Sequence, residues 1–346
     1  MNGMAIQGIG LVGGFGCGRD AFAAALSSGA APTRPAPFAG GEIPALLADT
    51  APLTRFVDKR ALRRIDHFSR LALLGAHLAL EDAGLPVPER ARLGLIVATG
   101  YGATATTFAF LDTVLDGGDA LASPTHFSSS VHNAAAAHTA ILLGITGPNL
   151  TVSQFEMSVP SALFAAQGWL AEGRVDAVLF GGVDEACAVL RYCWHRFFPE
   201  PSDVIRPFEF DRQSAVPGEG AAFFLLTGDS GKARYGRITE VRQGNAAVRP
   251  PLLDEALLYL LGADGHRECG ASYHRYLPAS ARCAAYAPSY GSLPVGPAFD
   301  LVVAGLVCRD DRLPSGAGGE ALAGRELCCL KFGRGEDYGV IRVARD

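Results

Sequence analysis

The sequence predicts an α/β fold of buried, mostly parallel strands layered against helices, and three observations carry that prediction. Leu93 to Thr99 is an apolar, β-branched-rich run that stops at Gly100-Tyr101-Gly102. Asp176 to Gly182 is a second such run, also ending in paired glycines. Leu71 to Ala83 has the apolar spacing of a long amphipathic helix and is closed by Gly84. Strands that alternate with helices in this way bury both faces of their sheet, the habit of parallel strands.

Taken in order, Ala5 to Val12 reads as a short buried strand ending in glycines, and Asp20 to Leu26 suits a helix. A Pro/Ala/Gly-rich stretch follows from Ala31 to Pro52. The charged run Asp58 to Asp66 then leads into the Leu71 to Ala83 helix. The Leu93 strand and then the Asp176 strand follow.

The chain has 346 residues, 49% of them hydrophobic and only 19% charged. It can bury a large core, and the apolar excess suits a covered subunit interface as well. The formal net charge of −5, with no Lys/Arg stripe interleaved with aromatics, argues against nucleic acid as a partner. The start lacks a basic segment followed by an apolar one, and no apolar run reaches membrane-spanning length. A cytoplasmic protein with no membrane partner is expected. The eight cysteines show no C-x-x-C pair or metal-ligand rhythm, so they read as core thiols and no metal or cofactor is expected. Adjacent Cys328 and Cys329 would point to opposite faces of a strand.

Four segments carry a family resemblance. Ala5 to Val12 resembles the VITGIGVVTPLG opening of β-ketoacyl synthases, and Leu80 to Leu85 reads LEDAGL as theirs does. Gly147-Pro148-Asn149-Leu150-Thr151-Val152-Ser153-Gln154-Phe155-Glu156-Met157-Ser158 resembles their GPSLTVSTACSS. Arg206-Pro207-Phe208-Glu209-Phe210-Asp211-Arg212 followed by Gly218-Glu219-Gly220-Ala221-Ala222 resembles RPFDxxRDGFVxGEGAG. The resemblance implies a thiolase fold, layered αβαβα, with a shortened second half. Residues 1–226 would form the ketosynthase N-terminal-like half with the pseudo-active site, and 227–346 an abbreviated C-terminal half of the same compact unit. The duplication that defines this fold is not visible in the sequence.

Against that family the site is altered. Glu156 stands where the nucleophilic Cys belongs. A thiolate at a helix N-terminus has its pKa lowered by the helix dipole and attacks an acyl thioester. A carboxylate is equally at home beside free N–H groups, but it cannot form the thioester through which acyl transfer passes. Ala287-Pro288-Ser289-Tyr290-Gly291-Ser292 aligns with Lys-Ser-x-x-Gly-His, so Ser292 replaces the second catalytic histidine. Nothing from Leu226 to Tyr286 reads as the His-Gly-Thr-Gly-Thr motif that holds the first. No catalytic residue is therefore expected. Phe155, Met157, Ser158, Gly291 and Phe332 are the expected cavity or gating residues, the last because Phe332-Gly333-Arg334-Gly335 echoes the family's GFGG loop.

Other candidates have ordinary readings. His132 and His138 belong to a segment that packs near the family's dimer interface, and His266 and His274 lie in the shortened region, where either could have been recruited. Cys187 and Cys193 read as small buried hydrophobes. Arg60, Arg63 and Arg64 match a region where ketosynthases meet the acidic acyl carrier protein, although a solvated helix face is the commoner meaning of such a run.

The resemblance thus implies a catalytically inactive subunit of the chain-length-factor type. It would pair through roughly Val131 to Ser153 with an active β-ketoacyl synthase and shape the cavity in which a chain grows on an acyl carrier protein. The short second half resembles the abbreviated subunits of aryl polyene and related type II polyketide systems. Two alternatives are a malonyl carrier protein decarboxylase using Glu156 and an acyl-binding homodimeric scaffold.

Overall fold

A computed structural model describes residues 3–84, 89–198, 202–228, 232–314 and 326–346. Leu85 of the LEDAGL segment lies outside them. Strand β1 (Met4–Gly13) is buried along its whole length, and β2 (Gly16–Cys17) folds back on its end. Helix α1 (Arg19–Ser28) follows, then a hairpin of β3 (Arg34–Phe38) and β4 (Gly41–Ala45) inside the Pro/Ala/Gly-rich stretch. Helix α2 (His67–Ala83) starts four residues before the apolar pattern does, because the Asp66 carboxylate accepts the Ser69 N–H at 2.8 Å and caps it. It lies directly on β1: a Cβ on Gly10 would sit 2.2 Å from the Ala79 nitrogen and the Gly75 oxygen, so only glycine permits the approach.

The remaining elements are β5 (Leu93–Thr99), α3 (Thr104–Gly117), α4 (Pro124–Ser129), α5 (Ala134–Leu143), β6 (Asn149–Ser153), α6 (Ser158–Ala171), β7 (Ala177–Asp184), α7 (Ala188–Phe197) and β8 (Gly220–Thr227) in the first half. The second half holds β9 (Arg237–Asn245), β10 (Leu258–Leu261), α8 (Arg267–Tyr276), β11 (Arg282–Ala284), α9 (Gly296–Asp310), β12 (Leu327–Phe332) and β13 (Asp337–Ala344).

The strands reveal the duplication that the sequence hides. The first half runs β6-β5-β7-β8-β1 across its sheet, and the second runs β11-β10-β12-β13-β9. Numbered within each half, both orders are 3-2-4-5-1, with the fifth strand antiparallel to its neighbours. The two halves join at the short pairing of Met4 with Ile238 and Ala5 with Arg237.

The sheet is thus mixed, not mostly parallel. Strand β8 is antiparallel yet buried on both faces, so it carries the same continuous apolar run as a parallel strand; burial, not direction, writes that signature.

Helices α6 and α9 lie between the two halves. Helix α6 packs on β5, β7, β9 and β13, and α9 on β7, β8, β10, β12 and β13. Gly296 to Cys308 of α9 are all buried, as expected of a helix with sheets on two sides. With α2 and α5 outside the first half and α8 outside the second, the layers are αβαβα. Two elements are poorly covered: β6 is an edge strand with no buried residue, and α3 has none either. No helix among the described residues is long and apolar enough to cross a membrane.

Candidate functional site

Strand β6 delivers the chain to a tight turn, Phe155–Met157, and then to the N-terminus of α6. The turn is held from within. Ser158 Oγ accepts the Gln154 N–H at 2.8 Å and lies within hydrogen-bond reach of the Phe155 and Thr99 carbonyls, at 2.7 and 2.9 Å. Ser158 is fully buried by these contacts, so it fastens the turn and does not reach the cavity. Its three neighbours diverge. Phe155, at φ +44°, projects outward and is 60% exposed, with its ring edge-on to Tyr101 at 6.2 Å. Met157 is buried against Gly333 and Gly339. Glu156 turns inward onto Gly333, where an added Cβ would sit 3.3 Å from its Oε2.

Facing Glu156 is a buried charge network assembled from three segments. Asp264 follows β10, Ser292 precedes α9, and Lys331 lies on β12. The Ser292 hydroxyl donates to Asp264 Oδ2 at 2.8 Å, and Lys331 Nζ donates to the same oxygen at 3.0 Å and to the Gly262 carbonyl at 2.8 Å. Burial alone would raise the Asp264 pKa, but the Lys331 ammonium, with His266 and the Ser292 hydroxyl, lowers it to about 2. The same pairing overrides the burial that would depress Lys331 and holds it well above the usual lysine value. Asp264 Oδ1 has no hydrogen-bond partner. Gly291, at φ +91°, lets its backbone pass so close to Gly218 that a Cβ would be 2.6 Å from the Gly218 Cα, and this crossing places Ser292.

A cavity of about 180 Å³ opens over this network, walled by Tyr101, Trp194, Phe198, Gly218, Ser292 and Arg334. Its frame is set by buried carboxylates. Asp184 accepts from Thr99 Oγ1 and from the Gly100 and Tyr101 N–H groups at 2.7–3.0 Å, and burial pushes it up to about 6. Burial likewise raises Glu185 to about 7, although the Ala105 N–H opposes it. Glu219 accepts from the Ala48 and Ala186 N–H groups and from His67, each at 3.0 Å.

The structure also places Phe332, a second expected gating residue, away from the cavity. The Phe332 ring is fully buried in the outer layer of the second half, perpendicular to Tyr273 at 5.0 Å. Lys331 faces the centre, so its neighbour on the strand must face away. The residue of this loop that reaches the cavity is Arg334. The loop is fastened on its far side: the Glu336 carboxylate accepts from Arg275 at 2.7 Å and from the Tyr276 hydroxyl at 2.9 Å.

Elsewhere, Arg60, Arg63 and Arg64 are exposed on a 3₁₀ turn before α2, and none of them lines the cavity. His266 lies at the site, its ring 5.0 Å from Trp194 and its pKa lowered by burial despite Asp264; His132 and His274 are exposed and His138 is half-buried. Cys193 lines the cavity, while Cys187 caps α7 and has its thiol pKa raised by burial. Cys328 and Cys329 belong to separate hydrophobic clusters on opposite faces of β12. Among the described residues no three His, Cys, Asp or Glu side chains are grouped to hold a metal. Sequence reasoning missed Asp264 and Lys331. A single lysine in the otherwise apolar strand Leu327–Phe332 was the available signal.

The beta-ketoacyl synthase N-terminal domain model matches residues 10–231. Nodulation protein E of Rhizobium sp. (strain N33) is 32% identical over 176 residues, covering 49% of this chain and 43% of that protein. Putative polyketide beta-ketoacyl synthase 1 of Streptomyces virginiae is 31% identical over 243 residues, covering 64% of this chain and 57% of that protein. The chain therefore spans about half the length of the curated relatives it matches. Among solved structures, the ishigamide ketosynthase/chain length factor superposes with a TM-score of 0.81 at 20% identity, covering 100% of this chain and 99% of that one. A β-ketoacyl synthase from Burkholderia phymatum STM815 superposes at 0.79 with 17% identity and full coverage of both chains. The domain match runs from β1 past β8 and takes in the turn at Glu156, and the doubled 3-2-4-5-1 sheet continues the architecture beyond it: this chain belongs to the β-ketoacyl synthase family and has its thiolase fold.

Proposed function

We propose that this chain is a non-catalytic, chain-length-factor-like subunit that pairs with an active β-ketoacyl synthase and helps to shape the chain-elongation cavity of a type II polyketide or aryl polyene system. One observation carries the reading, the set of groups at the pseudo-active site. An active enzyme needs a thiolate nucleophile and two imidazoles that stabilise the thioester oxyanion and the enolate. Here Glu156 fills the nucleophile's place and Ser292 that of one histidine, its hydroxyl committed to the buried Asp264. None of these groups supplies the imidazole donors that stabilise the oxyanion, and loss of even one such donor costs on the order of 10²–10³ in rate. The same set argues against malonyl decarboxylation at Glu156, which also builds negative charge.

The subunit contact would run through Val131 to Ser153, bringing the uncovered edge of β6 against a partner strand, with the exposed Phe108, Leu111, Phe127 and Ile141 adding apolar area. Arg60, Arg63 and Arg64 would meet the acidic carrier protein, and the complex would work in the cytoplasm. The test is intact-protein mass spectrometry of the co-expressed pair after incubation with an acyl carrier thioester. The acyl mass should appear on the partner alone. An acyl adduct on this chain would overturn the reading.

A further inference from the structure

We infer that the cavity beneath α7 is a binding site for a small, uncharged aromatic molecule that carries one N–H or O–H donor. The inference goes beyond the silent-subunit reading and holds whether or not the chain pairs with a ketosynthase. The turn at Glu156 contributes nothing to the cavity wall.

The first observation is the helix over the cavity. Leu190, Cys193, Trp194 and Phe197 recur at i, i+3, i+4 and i+7 of α7, and all four line the cavity. An apolar stripe of this spacing ordinarily packs on a core, yet α7 has no buried residue. The helix is held from another side. Arg191 donates to the Pro37 carbonyl of the β3–β4 hairpin at 2.9 and 2.8 Å and to the Ala186 carbonyl, and the Phe38 ring packs on His195 at 5.0 Å. Trp194, Phe198 and His266 brace one another, with ring centroids 5.0–5.6 Å apart, so the aromatic wall is preformed. A guest in the cavity would bury apolar surface that the chain itself leaves uncovered.

The second observation is a carboxylate. Glu185 is 3% exposed and lines the cavity; its Oε1 accepts the Ala105 N–H at 2.7 Å, while Oε2 has no partner among the described residues. A buried acceptor left in this way calls for a donor. Arg191 does not supply one, because its guanidinium is spent on the two carbonyls, and the Ser292 hydroxyl hydrogen is given to Asp264. The interior thus presents Glu185 Oε2 and the remaining lone pair of Ser292 as acceptors, with a Tyr101 hydroxyl that can serve either way. A carboxylic acid would set a second negative charge against Glu185, and Arg334, at the mouth and 58% exposed, stays hydrated. Size sets the rest. An apolar cavity of about 150 Å³ takes up benzene. This one, at about 180 Å³, has room for a single ring or a compact fused pair.

The experiment is calorimetric titration of the purified chain, alone or in whatever complex it is isolated, with three probes. Indole has an N–H donor and no acceptor, indene has the same frame without the donor, and benzoate carries the charge. Indole should bind once per copy of this chain. Indene should bind at least about tenfold more weakly, because it leaves the Glu185 carboxylate unpaired. Glu185→Gln keeps an acceptor for the Ala105 N–H but turns a donor toward the cavity, and should erase that preference. Cys193→Phe fills the cavity from the α7 side and should abolish uptake. The proposal is overturned by no indole binding at millimolar concentration, by equal affinity for indole and indene, or by uptake that survives Cys193→Phe. Benzoate binding more tightly than indole, and lost in Arg334→Gln, would also overturn it. Pairing with a ketosynthase is read separately by native mass, so neither result decides the other.

Discussion

Replacing Lys331 with methionine tests how the pseudo-active site is stabilised. Both Lys331 and Asp264 are almost fully buried, and the ammonium makes two of the network's three hydrogen bonds. Without it Asp264 keeps only the Ser292 hydroxyl, and its Oδ1 is already without a partner. Stranding one buried charge in this way costs about 3–5 kcal/mol. For a domain of this size that is a fall in Tm of roughly 4–7 °C. The double variant Lys331→Met with Asp264→Leu removes both charges and should recover most of the loss, since a buried pair replaced by apolar side chains is often neutral. The pH dependence gives a second signature. In the unaltered chain Asp264 titrates below its unfolded value of 3.8, at about 2, so its stabilisation is present above pH 3.8 and is lost as pH falls through 2. In Lys331→Met burial dominates and the sign reverses, so the variant should gain on the unaltered chain as the medium is acidified. Thermal melts from pH 3 to 8 measure both effects. A single variant costing under about 1 kcal/mol, or a double variant no better than the single, would refute the reasoning.

Glu156→Cys alone should remain unacylated by an acyl thioester in intact-mass measurements, because Asp264 and Ser292 do not supply the missing imidazoles. Asp184, Glu185 and Asp300 have folded pKa values raised by burial to about 6, 7 and 7, so their contribution is full below about pH 4 and is lost as pH rises through 6 to 7. Melting temperature should therefore decline from about pH 4 to 7 and level off above that, and Asp300→Asn should flatten that slope. Reversing the charge at Arg63 and Arg64 should leave the melt unchanged, since both are exposed, but weaken carrier-protein binding several-fold at low salt and much less at high salt.

Much of the first half was legible in the sequence because local chemistry writes it. Leu93 to Thr99 is the strand that was expected, and the Ala5 and Asp176 strands differ from it by one or two residues at their ends. Helix α2 began early because a cap, not the apolar period, decides where a helix starts. Strand direction was not legible, because β8 looks identical in sequence whether its neighbours run with or against it. Nor was the duplication, which the two halves share as topology without shared residues. At the site, Glu156 and Ser292 could be placed because each sits inside a motif. Asp264 and Lys331 could not, since they are 67 residues apart and meet only through the sheet. Phe332 and Arg334 show the finest limit: one step along a strand decides between the core and the cavity.

The most direct test of the silent-subunit account is native mass spectrometry of whatever co-purifies when this chain, tagged, is expressed with the ketosynthase encoded nearest to it. The account predicts a one-to-one complex of two different chains. A homodimer of this chain that excludes every ketosynthase offered would contradict it.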